Sequence, residues 1–261
     1  MTERARTSHD LDVTFYVPCL DEEANVGPAL DDLCAVIERL GLRAEILVFD
    51  DGSRDATGRV ATEFGGRWTK RLGDRLRFEV VRNPTPRGLG TNFFAGAARA
   101  HGVRYMLVNG DHSERIETLE AVLSRLGEAD IVTTFFADGD VRGPLRRGLS
   151  RLFTALVNRL NGHDLRYYNG PTLHPRIDVV RLATPCRGFA YQAELLTRQL
   201  DAGRTVLEVP MVNRDRESGV TKAFRPRNLA SVAASLGRIG LRLFPRIEDG
   251  PPAEDGRAAK G

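Results

Sequence analysis

Residues 44–53 read AEILVFDDGS: an apolar, β-branched and aromatic run that stops at two carboxylates, a glycine and a serine. Such a run closed by turn formers predicts a strand buried in a sheet, with Asp50 and Asp51 at its carboxyl end. Upstream, residues 11–18 (LDVTFYVP) form a second run that ends at Pro18. Between the two, residues 25–40 carry Val26, Leu30, Leu33, Ile37 and Leu40 at the spacing of one helical face. The result is a strand-helix-strand unit, and the alternation continues. A third apolar run spans 76–81, a small-residue helix 91–101, a strand 105–108, a helix 118–126, a strand 131–136 and a basic amphipathic helix 145–160. This order predicts an α/β fold with a mostly parallel sheet covered by helices on both faces. The alternation is less strict in the second half, where 206–212 reads as a late strand, and no internal repeat is found.

Composition narrows the class. The 261 residues are 41% hydrophobic and 28% charged, which describes a packed domain and excludes collagen-like, mucin-like or wholly disordered chains. Lys and Arg together number 38 against 35 Asp and Glu, too small an excess over this length to argue for nucleic acid as a partner. Cys19, Cys34 and Cys186 have neither CxxC spacing nor a histidine cluster beside them, so a reducing, cytoplasmic setting is expected in place of a zinc or disulfide scaffold. The first ten residues are polar and lack an apolar signal core, and no stretch is long enough to span a bilayer. The expected organisation is a disordered tail over 1–10, a main folded domain over 11–225, a basic amphipathic helix over 226–246 and a disordered tail over 247–261. Leu229, Val232, Leu236, Ile239, Leu243 and Phe244 form one stripe of that helix, suited either to an anionic membrane surface or to closing the core.

In parallel sheets ligands sit outside the carboxyl ends of strands. Three predicted strand ends carry polar clusters here: Asp21-Glu22-Glu23, Asp50-Asp51-Gly52-Ser53 and Asn109-Gly110-Asp111-His112-Ser113. Each alone reads equally as a capped turn. Together they put carboxylates on one edge, where oxygen ligands suit magnesium or manganese beside a diphosphate. Gly88-Leu89-Gly90 lacks the third glycine of a dinucleotide fingerprint, which excludes nicotinamide and flavin chemistry. His101, His163 and His174 read as structural, and Tyr167-Tyr168 as core packing or a groove lining.

The order of these motifs resembles the GT-A fold of family 2 glycosyltransferases, and within it the polyprenyl-phosphate (dolichol-phosphate) mannose and glucose synthases. Val17-Pro18-Cys19-Leu20-Asp21-Glu22 stands for the family's VPxYNE, residues 50–57 (DDGSRDAT) for DDGSxDxT, Arg87-Gly88-Leu89-Gly90 for its basic-GLG and Asn109-Gly110-Asp111 for DxD. Arg146 to Ser150 resembles RxxxS, Tyr168-Asn169-Gly170 the D-x-T/N-G segment, Gln192-Ala193-Glu194 QxE, and Arg216 to Lys222 RxxGxSK. The resemblance runs from about residue 11 to 225.

It implies an inverting transfer of a hexose from a GDP- or UDP-sugar to a polyprenyl phosphate. Pro18, Glu22, Asp50, Asp51, Gly52, Ser53, Arg87, Asn109 and Gly110 then bind the nucleotide sugar. Asp111 holds Mg2+ or Mn2+ on its diphosphate, with Arg216 and Lys222 adding cationic donors. Arg146, Ser150, Asn169 and Gly170 fall on the acceptor side. For an alcohol acceptor a base is required, and Glu194 is the candidate.

Three features depart from the family pattern. Asn109 replaces the leading Asp of DxD; Thr133-Thr134-Phe135-Phe136 lacks the arginine that many lipid-phosphate synthases place after this strand; and no transmembrane appendage is expected. They keep two alternatives open: transfer to a hydroxyl of a soluble molecule, and a silent nucleotide-sugar-binding protein. A nucleotidyltransferase is disfavoured, because its glycine-rich basic signature is absent beside the first strand.

Overall fold

A computed structural model describes residues 11–137, 143–184, 190–211 and 226–244, with side chains of the last segment described from 232 onward. The expected tails at 1–10 and 247–261 lie outside the described residues. Among the described residues, seven strands form one sheet in the order β3-β2-β1-β4-β6-β5-β7. They are β1 (Val13–Cys19), β2 (Ala44–Asp50), β3 (Leu76–Arg82), β4 (Arg104–Leu107), β5 (Ile131–Phe136), β6 (Leu173–Pro175) and β7 (Val206–Met211). All neighbouring pairs are parallel except those of β6, which runs antiparallel to both β4 and β5. Because β6 reverses direction twice over, β5 still points the same way as β4, so the carboxyl ends of β1, β2, β4 and β5 share one edge.

Helices cover both faces. α1 (Val26–Leu40), α2 (Thr57–Leu72) and α4 (Ile116–Leu123) pack on one, where Val13, Phe15 and Val17 of β1 meet Leu30, Leu33, Ile37, Ala61 and Leu119. Tyr16 points the other way, into α3 (Leu89–Arg99), α6 (Arg176–Arg181) and α7 (Tyr191–Asp201), beside Phe93, Val179 and Tyr191. That two-residue alternation is why the central strands are apolar on both sides. α1 stops where Gly41 adopts φ 64°, its N–H bonding back to the Ile37 and Glu38 carbonyls, the left-handed closure that glycine makes without a Cβ clash.

α5 (Pro144–Asn161) and α8 (Pro226–Leu241) pack together beyond β5. The stripe of α8 faces inward: Ile239 is fully buried, and Val232, Leu236 and Phe244 pack against core clusters. Only Leu243 of its described stripe residues is exposed. The outward apolar face belongs to α5, where Leu145, Leu149, Leu152, Leu156 and Leu160, spaced on one side of the helix, are 39–72% exposed. Among the described residues of the α8 stripe, Val232, Leu236, Ile239 and Phe244 therefore pack inward.

Candidate functional site

The loops after β1 and β2 are laced together. Backbone N–H groups of Asp21, Glu22 and Glu23 donate to Ser53 Oγ, Thr57 Oγ1 and Asp55 Oδ2 at 3.0, 2.8 and 3.1 Å. In return, the N–H groups of Arg54 and Ala56 donate to Asp21 Oδ1 and Glu23 Oε2 at 2.8 and 2.9 Å. Asp21 reaches this arrangement at φ 58° and Gly52 at φ 84°; at position 52 a side chain would also press on Thr85 and Pro86.

Asp50 is buried and caps the turn, accepting the Ser53 N–H at 2.9 Å, with Arg82 3.6 Å from its other oxygen. Asp51 turns instead to the loop after β3. Its Oδ1 accepts from Asn83 Nδ2 and the Arg87 N–H, both at 2.8 Å, and its Oδ2 from the Gly88 N–H at 3.0 Å. Burial pushes the Asp51 pKa up, but these donors and the Asn92 amide outweigh it and hold the carboxyl below its ordinary range. A cleft of 590 Å3 adjoins this loop, lined by Gly52, Ser53, Arg54, Arg82, Asn83 and Pro84 among others. The Arg87 side chain is exposed beside it.

Gly110 lies against β1: its N–H donates to the Pro18 carbonyl at 3.2 Å, and a Cβ there would stand 2.3 Å from Cys19 Sγ. Asp111 follows, half-buried, its Oδ1 accepting the Ser113 N–H at 3.1 Å. His112, at φ 55°, bonds through Nε2 to Asp32 Oδ2 at 2.8 Å. Asn109 donates its backbone N–H to Glu114 Oε2 at 3.2 Å and its side-chain amide to Glu114 Oε1. Glu114 is almost fully buried; burial, with Asp111 nearby, pushes its pKa up to about 8, and the Asn109 donors oppose that rise. Asp111, Asp51 and Glu22 thus follow neighbouring strands at one edge, and Pro18 stands at the end of β1 beside them. Among the described residues no three His, Cys, Asp or Glu side chains converge as a metal cage. A single carboxylate at Asp111 nonetheless fits magnesium or manganese, which keep positions for phosphate oxygens and water.

Of the residues expected on the acceptor side, Gly170 is buried, and a Cβ there would collide with Thr134 Oγ1 at 2.1 Å. Gln192 Nε2 donates to the Gly170 carbonyl at 2.6 Å and to Thr172 Oγ1 at 2.8 Å, which ties α7 to this turn. Asn169 is exposed, as is Arg146 near the start of α5, with Ser150 one turn on. Tyr168 is core, whereas the Tyr167 ring packs 5.1 Å from that of Phe136.

Glu194, the candidate base for an alcohol acceptor, lies in the core: its carboxylate has no exposure and is gripped by Arg238 of α8 at 2.6 Å. Arg216 and Lys222 lie outside the described residues. Two residues escaped the reading of the sequence. Glu114 looks like an ordinary loop acid, with no periodicity to mark its burial. Arg166 places its guanidinium 3.4 Å from the centroid of Phe135, so a cation stands at the end of β5 although the strand itself carries none.

A mostly parallel sheet with carboxylates after its central strands is the GT-A architecture of sugar-nucleotide transferases. Residues 14–181 match Glycosyl transferase family 2, and the chain belongs to that family. It is 31% identical over 215 residues to the polyprenol monophosphomannose synthase of Mycolicibacterium smegmatis, covering 77% of each chain. With a dolichyl-phosphate beta-glucosyltransferase of Trichomonas vaginalis it shares 26% identity over 239 residues, 87% of this chain and 64% of that protein. The fold matches glucosyl-3-phosphoglycerate synthase from Mycobacterium tuberculosis, crystallised with phosphoglyceric acid, with a TM-score of 0.66 at 20% identity, over 87% of this chain and 80% of that one. The same synthase has also been crystallised with Mn2+, uridine diphosphate and glucosyl-3-phosphoglycerate. The chain is a glycosyltransferase.

Proposed function

We propose that this enzyme moves a hexose from a nucleoside diphosphate sugar to a polyprenyl phosphate at the cytoplasmic face of a membrane, with inversion at the anomeric carbon. The observation that carries this reading is the outward face of α5. Its five exposed leucines are joined by Arg146, Arg147, Arg151 and Arg159, and the helix contains no acid. Apolar surface flanked by cations complements an anionic lipid surface, with arginines on the headgroups and leucines below them. Leu241 and Leu243, exposed at the end of α8, extend the patch. α5 is the next helix after β5, whose carboxyl end shares the sheet edge with that of β4, the strand before Asp111, which supports an acceptor phosphate meeting the donor there. The likeness to a polyprenol monophosphomannose synthase supports the same acceptor.

Pro18, Glu22 and the turn of residues 50–53 form the floor for the nucleoside, and the Asp51-anchored loop brings Arg87 to its edge. Asp111 holds Mg2+ or Mn2+ against the diphosphate. When bound, the cation stabilises charge on the departing nucleoside diphosphate. An acceptor phosphate oxygen forms the new bond to the anomeric carbon as the bond to the diphosphate breaks. That oxygen is already anionic, so no base is needed, in keeping with the sealed Glu194. Arg146, Ser150 and Arg166 are the acceptor-side donors, with Asn169 and Gly170 shaping the groove, and Arg216 and Lys222 complete the phosphate contacts.

The test is nucleoside diphosphate release over a panel of nucleotide sugars with Mn2+ or Mg2+, with and without a short-chain polyprenyl phosphate. Stimulation by the lipid phosphate is expected. Saturable donor binding without stimulation overturns the acceptor and turns the search to hydroxyl acceptors, with the silent binder as the fallback. A Leu149→Ser/Leu152→Ser/Leu156→Ser variant should lose cosedimentation with anionic vesicles yet keep activity on an acceptor short enough to dissolve; retained vesicle binding overturns the role of α5.

A further inference from the structure

We infer that Asn109 is the amide half of a pair with Glu114 that positions Asp111, and not a lapsed metal ligand. Residues 109–114 form a closed loop, because the Glu114 carboxylate folds back beneath it and takes both donors of Asn109. Glu114 is 4% exposed, so these bonds stand in for the water it has lost. The loop has little freedom elsewhere. Gly110 is pressed on Cys19 and the Pro18 carbonyl, His112 is tied to Asp32, and the Ser113 N–H orients the Asp111 carboxylate. The Asn109–Glu114 bonds close the base of this frame, and Asp111 is held at its tip.

The family motif has an acid at position 109. In this chain an aspartate there would set a second acid against Glu114 inside the protein and take away the amide donor that now satisfies it. Two acids in buried contact cannot both ionise, and without the amide the closure of the loop is weakened. Here a carboxyl group lies under the loop, where it takes an amide partner, and Asp111 alone faces the diphosphate. Restoring the family's residue at 109 therefore harms this enzyme, and an amide in place of the acid at 114 repairs the harm.

This inference rests on Asp111 as the metal carboxylate and is independent of the acceptor. The experiment is Mn2+ binding to the protein with uridine or guanosine diphosphate, followed by the electron paramagnetic resonance of free Mn2+. Asp111→Asn should abolish nucleotide-dependent Mn2+ binding. Asn109→Asp should weaken it by about tenfold or more, the usual cost of disturbing the groups that orient a ligand. The double variant Asn109→Asp/Glu114→Gln should return to within about threefold of wild type, the non-additivity expected of contacting residues. If Asn109→Asp fails to fold, recovery of the folded circular dichroism spectrum in the double variant reports the same coupling. Tighter or unchanged Mn2+ binding in Asn109→Asp, or a double variant no better than the single one, overturns the pair. Mn2+ binding that survives Asp111→Asn overturns the metal assignment and the pair with it.

Discussion

Glu194 of α7 and Arg238 of α8 form an ion pair, with Nη2 2.6 Å from Oε1, and the carboxylate is wholly buried. Arg238 also reaches Ser235 Oγ at 3.0 Å, so its guanidinium is itself held in place. The pair joins the helix that carries Gln192, and through it the Gly170 turn, to the helix that closes the core. Removing one partner strands the other charge, whereas removing both leaves apolar surface. Glu194→Ala should lower stability in urea by about 3–5 kcal/mol, and Glu194→Leu/Arg238→Met should recover most of that loss. Glu194→Gln should leave the shape of the pH profile of turnover unchanged; a lost titration limb would restore Glu194 as the base.

Asp51 offers each oxygen to a different backbone N–H, Arg87 on one and Gly88 on the other. An amide satisfies only one of them. Asp51→Asn should release the loop of residues 83–88 and weaken uridine or guanosine diphosphate binding about tenfold in calorimetry, the scale of one hydrogen bond to a charged group. Undiminished affinity would show that the loop's anchoring does not shape the nucleotide site.

His174 on β6 is buried with Nδ1 2.8 Å from Gln199 Oε1, and burial pushes its pKa down to about 4. The unfolded chain protonates this imidazole near its ordinary pKa of about 6.5, while the folded protein resists until about 4. The unfolded state thus binds the extra proton in that window. Stability from a neutral His174 is full above about pH 6.5 and falls as pH drops toward 4, by up to roughly 3 kcal/mol. Urea midpoints measured across this range should decline for the wild type, and His174→Asn should lack that share of the decline.

Long apolar runs made the first half of the fold legible. β1, β2, β3 and β5 begin or end within two residues of the runs at 11–18, 44–49, 76–81 and 131–136, and α1 keeps the Val26, Leu30, Leu33, Ile37 face. β6 escaped because three residues ending in Pro175 hold no periodicity, and its reversed direction follows from pairing that local sequence does not encode. The leucines of α5 were legible as an amphipathic helix, but their outward orientation was not, because a stripe does not say which side the rest of the chain takes. Likewise Glu194 was visible as part of a motif, while its sealing depends on Arg238, 44 residues away. The strand-end carboxylates were the most readable part of the site, since their place follows directly from where each apolar run stops.

The lacing of the loops after β1 and β2 bears on how the protein opens to solvent. Amides of Asp21, Glu22, Glu23, Arg54 and Ala56 each close on the opposite loop, so no one of them is released without straining the rest. Deuterium should enter them as a single cooperative unit. On the proposed function, a nucleotide binding at this edge meets a surface whose disorder was removed during folding, so little of its binding free energy is spent on ordering the floor beneath it.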